Sequence, residues 1–280
     1  MDRSQALAAY INGGSDSVEG WLYRLDMVLW ALLDSVQKSH HALGDLCEVG
    51  VYKGKALALL GMLARDQETV YGFDTYPNDW LADTQRTMAS FCPWVSDIRY
   101  VRGDTSTLAS QELQNIFPRK LRLLHVDAGH EYHEILHTLY LFAPFVAGEG
   151  VIVMDDYHDH EFPGVAAATL DFCRHHEARP FVPFLAGANK MYLCMPGLAE
   201  RYQLGLLAQP DLRDTMRLSR VRDSIVLVTG SREPMTSAGI EEAIKRDVVD
   251  HHRDSGGAGL SAVAARNSQS CGQASLGIRQ

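Results

Sequence analysis

Five short apolar runs, Leu46–Val51, Val70–Phe73, Ile98–Val101, Leu121–Val126 and Val151–Met154, alternate with segments that read as helices. Runs of that length are buried strands, and strands alternating with helices specify βαβ units, a parallel sheet with helices on both faces. Two further runs, Pro180–Leu185 and Lys190–Met195, are joined by Ala186-Gly187-Ala188-Asn189, too short for a crossover helix. They predict an antiparallel hairpin, and so an α/β mixed sheet of about seven strands with its last strand antiparallel.

Ahead of the first strand, Trp21, Leu22, Leu25, Val28, Leu29, Leu32 and Leu33 follow helical spacing, which predicts an amphipathic helix over 18–39. Residues 1–44 are therefore expected to form a helical lid or substrate region, and 45–196 the catalytic domain. Beyond Pro196 the signals thin. Residues 225–229 offer one more strand and 239–252 a helix, so 197–252 reads as a small addition, whereas the Gly-, Ser- and Ala-rich stretch 253–280 predicts disorder.

Charge and cysteines exclude several classes. A formal net charge of −9 argues against nucleic acid, whose phosphates need clustered Lys and Arg. The five cysteines are odd in number, dispersed and without a CxxC pair, so neither a disulfide framework nor a zinc site is expected. With no apolar stretch suited to a signal or a membrane span, the expectation is a cytoplasmic protein with no membrane partner.

The chemistry begins at Glu48-Val49-Gly50-Val51-Tyr52-Lys53-Gly54, where a strand turns into a helix. Glycines there permit close backbone approach, and a helix N-terminus offers unpaired N–H groups. The spacing is ExGxxxG. Tyr52 stands where a dinucleotide site has its middle glycine, which favours a nucleoside without a pyrophosphate over NAD or FAD. Asp74, at the end of the second strand and 24 residues after Gly50, suits a pair of ribose hydroxyls. Asp104 follows the third strand at the same edge, where it or a neighbour would meet the base.

At the fourth and fifth strand ends stand Asp127 and the pair Asp155-Asp156. Adjacent carboxylates repel unless neutralised, and a hard divalent cation such as Mg²⁺ (or Mn²⁺) does so. His130, three residues after Asp127, is placed as general base, while His125, His133, His137, His158 and His160 are expected to be surface histidines.

Together, ExGxxxG, the Asp74 position, "VDAGHEYHE" and "GEGVIVMDDY" followed by "PGVAAATLDF" resemble the class I S-adenosylmethionine-dependent methyltransferases. More narrowly, they resemble the metal-dependent macrocin and mycinamicin type of sugar O-methyltransferase. The resemblance spans roughly residues 40–196 and implies a Rossmann-like class I methyltransferase fold. It implies methyl-donor contacts at Glu48, Gly50, Tyr52 and Gly54, a ribose-binding Asp74, metal ligands Asp127, Asp155 and Asp156, and His130 as base. The expected acceptor is a hydroxyl of a sugar in a glycosylated natural product, as in antibiotic biosynthesis, and relatives often form homo-oligomers. The chain departs from the pattern at Asp127-Ala128-Gly129, where many relatives read Asp-Gly-Asp. A catechol-type O-methyltransferase, an NAD-dependent oxidoreductase and a non-catalytic binding protein of the same fold are the competing readings.

Overall fold

The computed structural model describes residues 2–175 and 180–229. In chain order the strands are β1 (Asp45–Val49), β2 (Val70–Asp74), β3 (Ile98–Arg102), β4 (Leu121–Val126), β5 (Val146–Met154), β6 (Val182–Gly187), β7 (Lys190–Cys194), β8 (Met216–Val221) and β9 (Ser224–Thr229). They form one sheet in the order β3-β2-β1-β4-β5-β7-β6-β9-β8. The first five are parallel, β7 is antiparallel to β5, and β6 and β7 form the expected hairpin. Among the described residues the sheet has nine strands where about seven were expected. The additional pair is the hairpin β8–β9, whose β9 runs parallel to β6 and carries the sheet past the predicted edge. Residues 225–229 are thus a strand, as their apolar run suggested. The expected helix over 239–252 and the tail from 253 lie outside the described residues, as does Cys271.

The helices are α1 (Arg3–Ile11), α2 (Arg24–Ser39), α3 (Lys55–Leu63), α4 (Trp80–Phe91), α5 (Ser110–Ile116), α6 (Tyr132–Phe142), α7 (Pro163–His175), α8 (Ala199–Leu207) and the short α9 (Pro210–Arg213). Strand side chains alternate faces with period two, so the sheet has two cores. Leu46, Leu123, Val151 and Val153 meet α2, α3 and α8 on one face, whereas Cys47, Leu124, Val126, Ile152 and Met154 meet α6 and α7 on the other. Helix α1 was not anticipated, and α2 starts at Arg24 rather than at residue 18. Gly20, at φ +133°, and the extended Tyr23 hold the preceding segment out of helical geometry, which leaves Trp21 86% exposed.

At the N-terminal end of the strands, Arg122 is fully buried. Its guanidinium pairs with Asp34 at 2.9 Å and Glu68 at 2.8 Å and donates to Gln37 Oε1 and the Leu63 carbonyl, which ties β4 to α2, to α3 and to the turn before β2. That end is structural. Among the described residues no helix is long and apolar enough to cross a membrane.

Candidate active site

The opposite edge of the sheet, the C-terminal ends of β1, β2, β4 and β5, opens into a cavity of about 640 Å³, within the roughly 300–1,000 Å³ usual for small-molecule sites. In an open α/β sheet this edge is where ligands bind. Glu48, Gly50, Tyr52, Asp74, Asp127, His130, Asp155 and Asp156 all line it. Of the residues expected at the site, Gly54 and Asp104 do not. The Asp104 carboxylate turns back on its own loop to accept from the Ser106 N–H at 2.9 Å, and Gly54 caps α3 in the left-handed region at φ +86°.

The glycines were expected to let a ligand approach the backbone. Gly50 has a nearer reason: at φ +89°, a Cβ on it would lie 1.9 Å from the Asp127 carbonyl oxygen. The β1–α3 loop is therefore packed directly on the end of β4, a contact that only glycine allows. Asp74 clamps the same loop. Its Oδ2 accepts from the Val51 N–H at 2.8 Å and the Tyr52 N–H at 2.9 Å, while Oδ1 accepts from Tyr76 at 2.6 Å. The α4 hydroxyls of Thr84 and Thr87 donate to the carbonyls of Tyr52 and Lys53 and close the loop from above.

Strand pairing sets Glu48 opposite His125, and the two-residue period puts Asp155 and Lys190 on the same face. These four form a continuous buried row. Glu48 Oε1 lies 2.9 Å from His125 Nδ1, His125 Nε2 lies 3.2 Å from Asp155 Oδ2, and that oxygen also pairs with the Lys190 ammonium. Burial disfavours a charged imidazole, yet the carboxylates of Asp155 and Glu48 override it and raise the His125 pKa to about 9. Burial likewise works against the Asp155 carboxylate, but Lys190 and then His125 hold it well below the ordinary range. His125 was expected at the surface. It is instead fully buried, edge-on to Trp30 at 4.7 Å, because β4 is a central strand with both faces covered.

Nearer the cavity mouth, His130 Nε2 lies 3.0 Å from Asp156 Oδ2, and the His130 ring stacks on Phe162 with centroids 4.0 Å apart. Asn189 donates to Asp156 Oδ1 at 2.7 Å. The hydrogen bond that His130 donates to Asp156 raises the His130 pKa, against a smaller effect of burial. The remaining histidines of the expected surface group, His133, His137, His158 and His160, are exposed.

The expected metal trio is divided. Ligand atoms of Asp127, His130 and Asp156 lie within 4.8 Å of one another, and so do those of His125, Asp127 and Asp155. Asp127 belongs to both sets, and burial followed by the Asp155 charge pushes its carboxyl well above the usual range. Lys190 and Asn189, on the β6–β7 hairpin, escaped sequence reasoning. The available signal was a lysine opening an otherwise apolar strand, "KMYLC".

Residues 47–157, the stretch from β1 to the end of the cavity's acidic pair, match the family described as a methyltransferase domain. Among solved structures, cofactor-bound Rv0187 from MTB superposes on the chain with a TM-score of 0.50 at 14% identity, over 70% of this chain and 90% of that one. The O-methyltransferase from Bacillus cereus in complex with SAH does so at 0.50 and 11% identity, over 69% and 90%. The TDP-rhamnose 3'-O-methyltransferase CalS11 of calicheamicin biosynthesis aligns at 0.48 and 18% identity, over 59% and 77%. The first two superpositions show that the chain shares the Rossmann-like fold of these structures. No curated protein matches the chain.

Proposed function

We propose that the protein is an S-adenosylmethionine-dependent O-methyltransferase whose acceptor is a hydroxyl of a sugar in a glycosylated natural product, assisted by a divalent cation. The observation that carries this reading is the single cavity joining the clamped β1–α3 loop to the His130–Asp156 pair. A donor and an acceptor must meet in one space for transfer to occur, and proximity alone can contribute several kcal/mol to the barrier.

The residues suit the donor. Glu48 Oε2 is buried on the cavity wall and has no hydrogen-bond partner among the described residues, which leaves an acceptor atom for the cationic end of an amino-acid-bearing nucleoside. Asp74, though engaged by the loop, retains lone pairs for ribose hydroxyls at the cavity surface. S-Adenosylmethionine supplies the methyl group when bound. Asp127 and Asp156 are hard oxygen ligands suited to Mg²⁺ or Mn²⁺, which when bound acts as a Lewis acid that lowers the pKa of a hydroxyl.

The chain's own residues complete the machinery. His130 accepts the hydroxyl proton at Nδ1, Asp156, bonded to Nε2, orients that imidazole and stabilises the imidazolium that forms, and Phe162 fixes its plane. Trp21, Tyr52 and Trp80 offer aromatic faces to a sugar ring on the other side of the cavity: Trp21 stacks on Tyr52 at 6.0 Å, and Tyr52 meets Trp80 edge-on at 4.4 Å.

Calorimetric titration with S-adenosylhomocysteine, with NAD⁺ as control, tests the donor half. Binding of the first without the second is expected, and the reverse preference would return the site to the dinucleotide reading. A screen of sugar and catechol acceptors with Mg²⁺ then tests the acceptor half.

A further inference from the structure

Both carboxylate oxygens of Asp155 are engaged. Its Oδ2 receives both the Lys190 ammonium and His125 Nε2, and its Oδ1 accepts from the Asp156 N–H at 2.9 Å. Lys190 is 1% exposed. Its counter-charges are all internal: Asp155 first, then Asp26 on α2 and Asp127. A buried ammonium survives only when paired, and removing either member of such a pair leaves an uncompensated charge in the interior.

The row from Glu48 to Lys190 therefore already solves the repulsion that a cation would solve. We propose that the Lys190 ammonium is the resident cation of Asp155, so that Asp155 is a positioning residue and not a metal ligand, and a divalent ion is confined to the side of the cavity formed by Asp127 and Asp156. This rests on the methyltransferase reading for its function, but not for its geometry. The consequence is a fixed monovalent charge beneath the reacting centre and an exchangeable divalent one beside it. The fixed charge cannot be removed by a chelator, and it holds Asp155, through His125, in register with Glu48 on the donor wall.

The test is Mn²⁺ binding by the full chain, followed by the paramagnetic signal of the free ion, with S-adenosylhomocysteine calorimetry on the same samples. Asp156→Asn is expected to weaken Mn²⁺ binding by about tenfold or more. The double variant Asp155→Asn/Lys190→Met removes both charges together without leaving either unpaired, and it is expected to keep Mn²⁺ affinity within about twofold. Lys190→Met alone frees Asp155 and is expected to tighten Mn²⁺ by about tenfold; if that variant fails to fold, the double variant decides.

An equal loss in the double variant and in Asp156→Asn would overturn the proposal, because Asp155 would then be a ligand. So would a wild-type chain that binds no Mn²⁺ at millimolar ion. Homocysteine-nucleoside binding in the same wild-type sample separates these failures from a failure of the methyltransferase reading.

Discussion

Asp74, at the end of β2, accepts the backbone N–H of Tyr52 at 2.9 Å and so holds the β1–α3 loop in the conformation that lines the cavity. On the proposed reading its role is double, since the side chain assigned to ribose is also the clamp of the loop assigned to the rest of the donor. Asp74→Ala is expected to weaken S-adenosylhomocysteine by more than the loss of one ligand hydrogen bond, about 1–3 kcal/mol or tenfold and more in Kd. Asp74→Asn keeps one accepting oxygen and should fall between. Calorimetry on both variants checks the order.

Much of this was legible in the chain. Buried parallel strands are continuous apolar runs, so β1 to β5 stand out, and their acids fall at one edge because parallel strands all point the same way. What did not show was pairing across long sequence separations. Nothing in "LLHV" distinguishes a buried His125 from a solvated one until β1 brings Glu48 opposite it, 77 residues away. Adjacent carboxylates at 155 and 156 imply a positive partner, but not whether that partner is an ion or a lysine from β7. Of the final hairpin, β9 was anticipated from its apolar run, whereas β8, half exposed and interrupted by Arg217 and Arg220, was not.

Gly50 tolerates no side chain. A Cβ would meet the Asp127 carbonyl at 1.9 Å in a left-handed conformation that already disfavours L residues. Gly50→Ala is expected to cost about 3 kcal/mol or more and to abolish donor binding, because relief requires the loop to lift from β4. Thermal unfolding and calorimetry check both; a stable variant with intact binding would show that the loop is looser than its packing implies.

Stability should fall as the medium becomes alkaline. Asp26 is fully buried beside Tyr192, and burial, reinforced by Asp155 and opposed by Lys190, raises its pKa from 3.8 to about 7. Folded protein then binds more protons than unfolded protein between those values, so stability decreases as pH rises through that window, by about 1.4 kcal/mol per unit for this one group. His125, raised from 6.5 to about 9, continues the loss: its contribution is fully present below about 6.5 and gone above about 9. Denaturant midpoints from pH 5 to 9 should decline, and Asp26→Asn should flatten the acidic half of that slope while leaving the alkaline half.

Trp21, 86% exposed, lines the cavity mouth and stacks on Tyr52. An exposed tryptophan contributes little to folding, so Trp21→Ala is expected to change stability by less than about 0.5 kcal/mol. Its indole face is available to an acceptor ring, and losing an aromatic contact of that kind costs about 0.5–1.5 kcal/mol. The acceptor KM should therefore rise severalfold, with kcat and S-adenosylhomocysteine affinity nearly unchanged, since the group lies away from the reacting atoms. Steady-state kinetics on an accepted sugar or catechol reads the split. A fall in kcat at constant KM would instead place Trp21 over the donor, and would move the acceptor to the Phe162 side of the cavity.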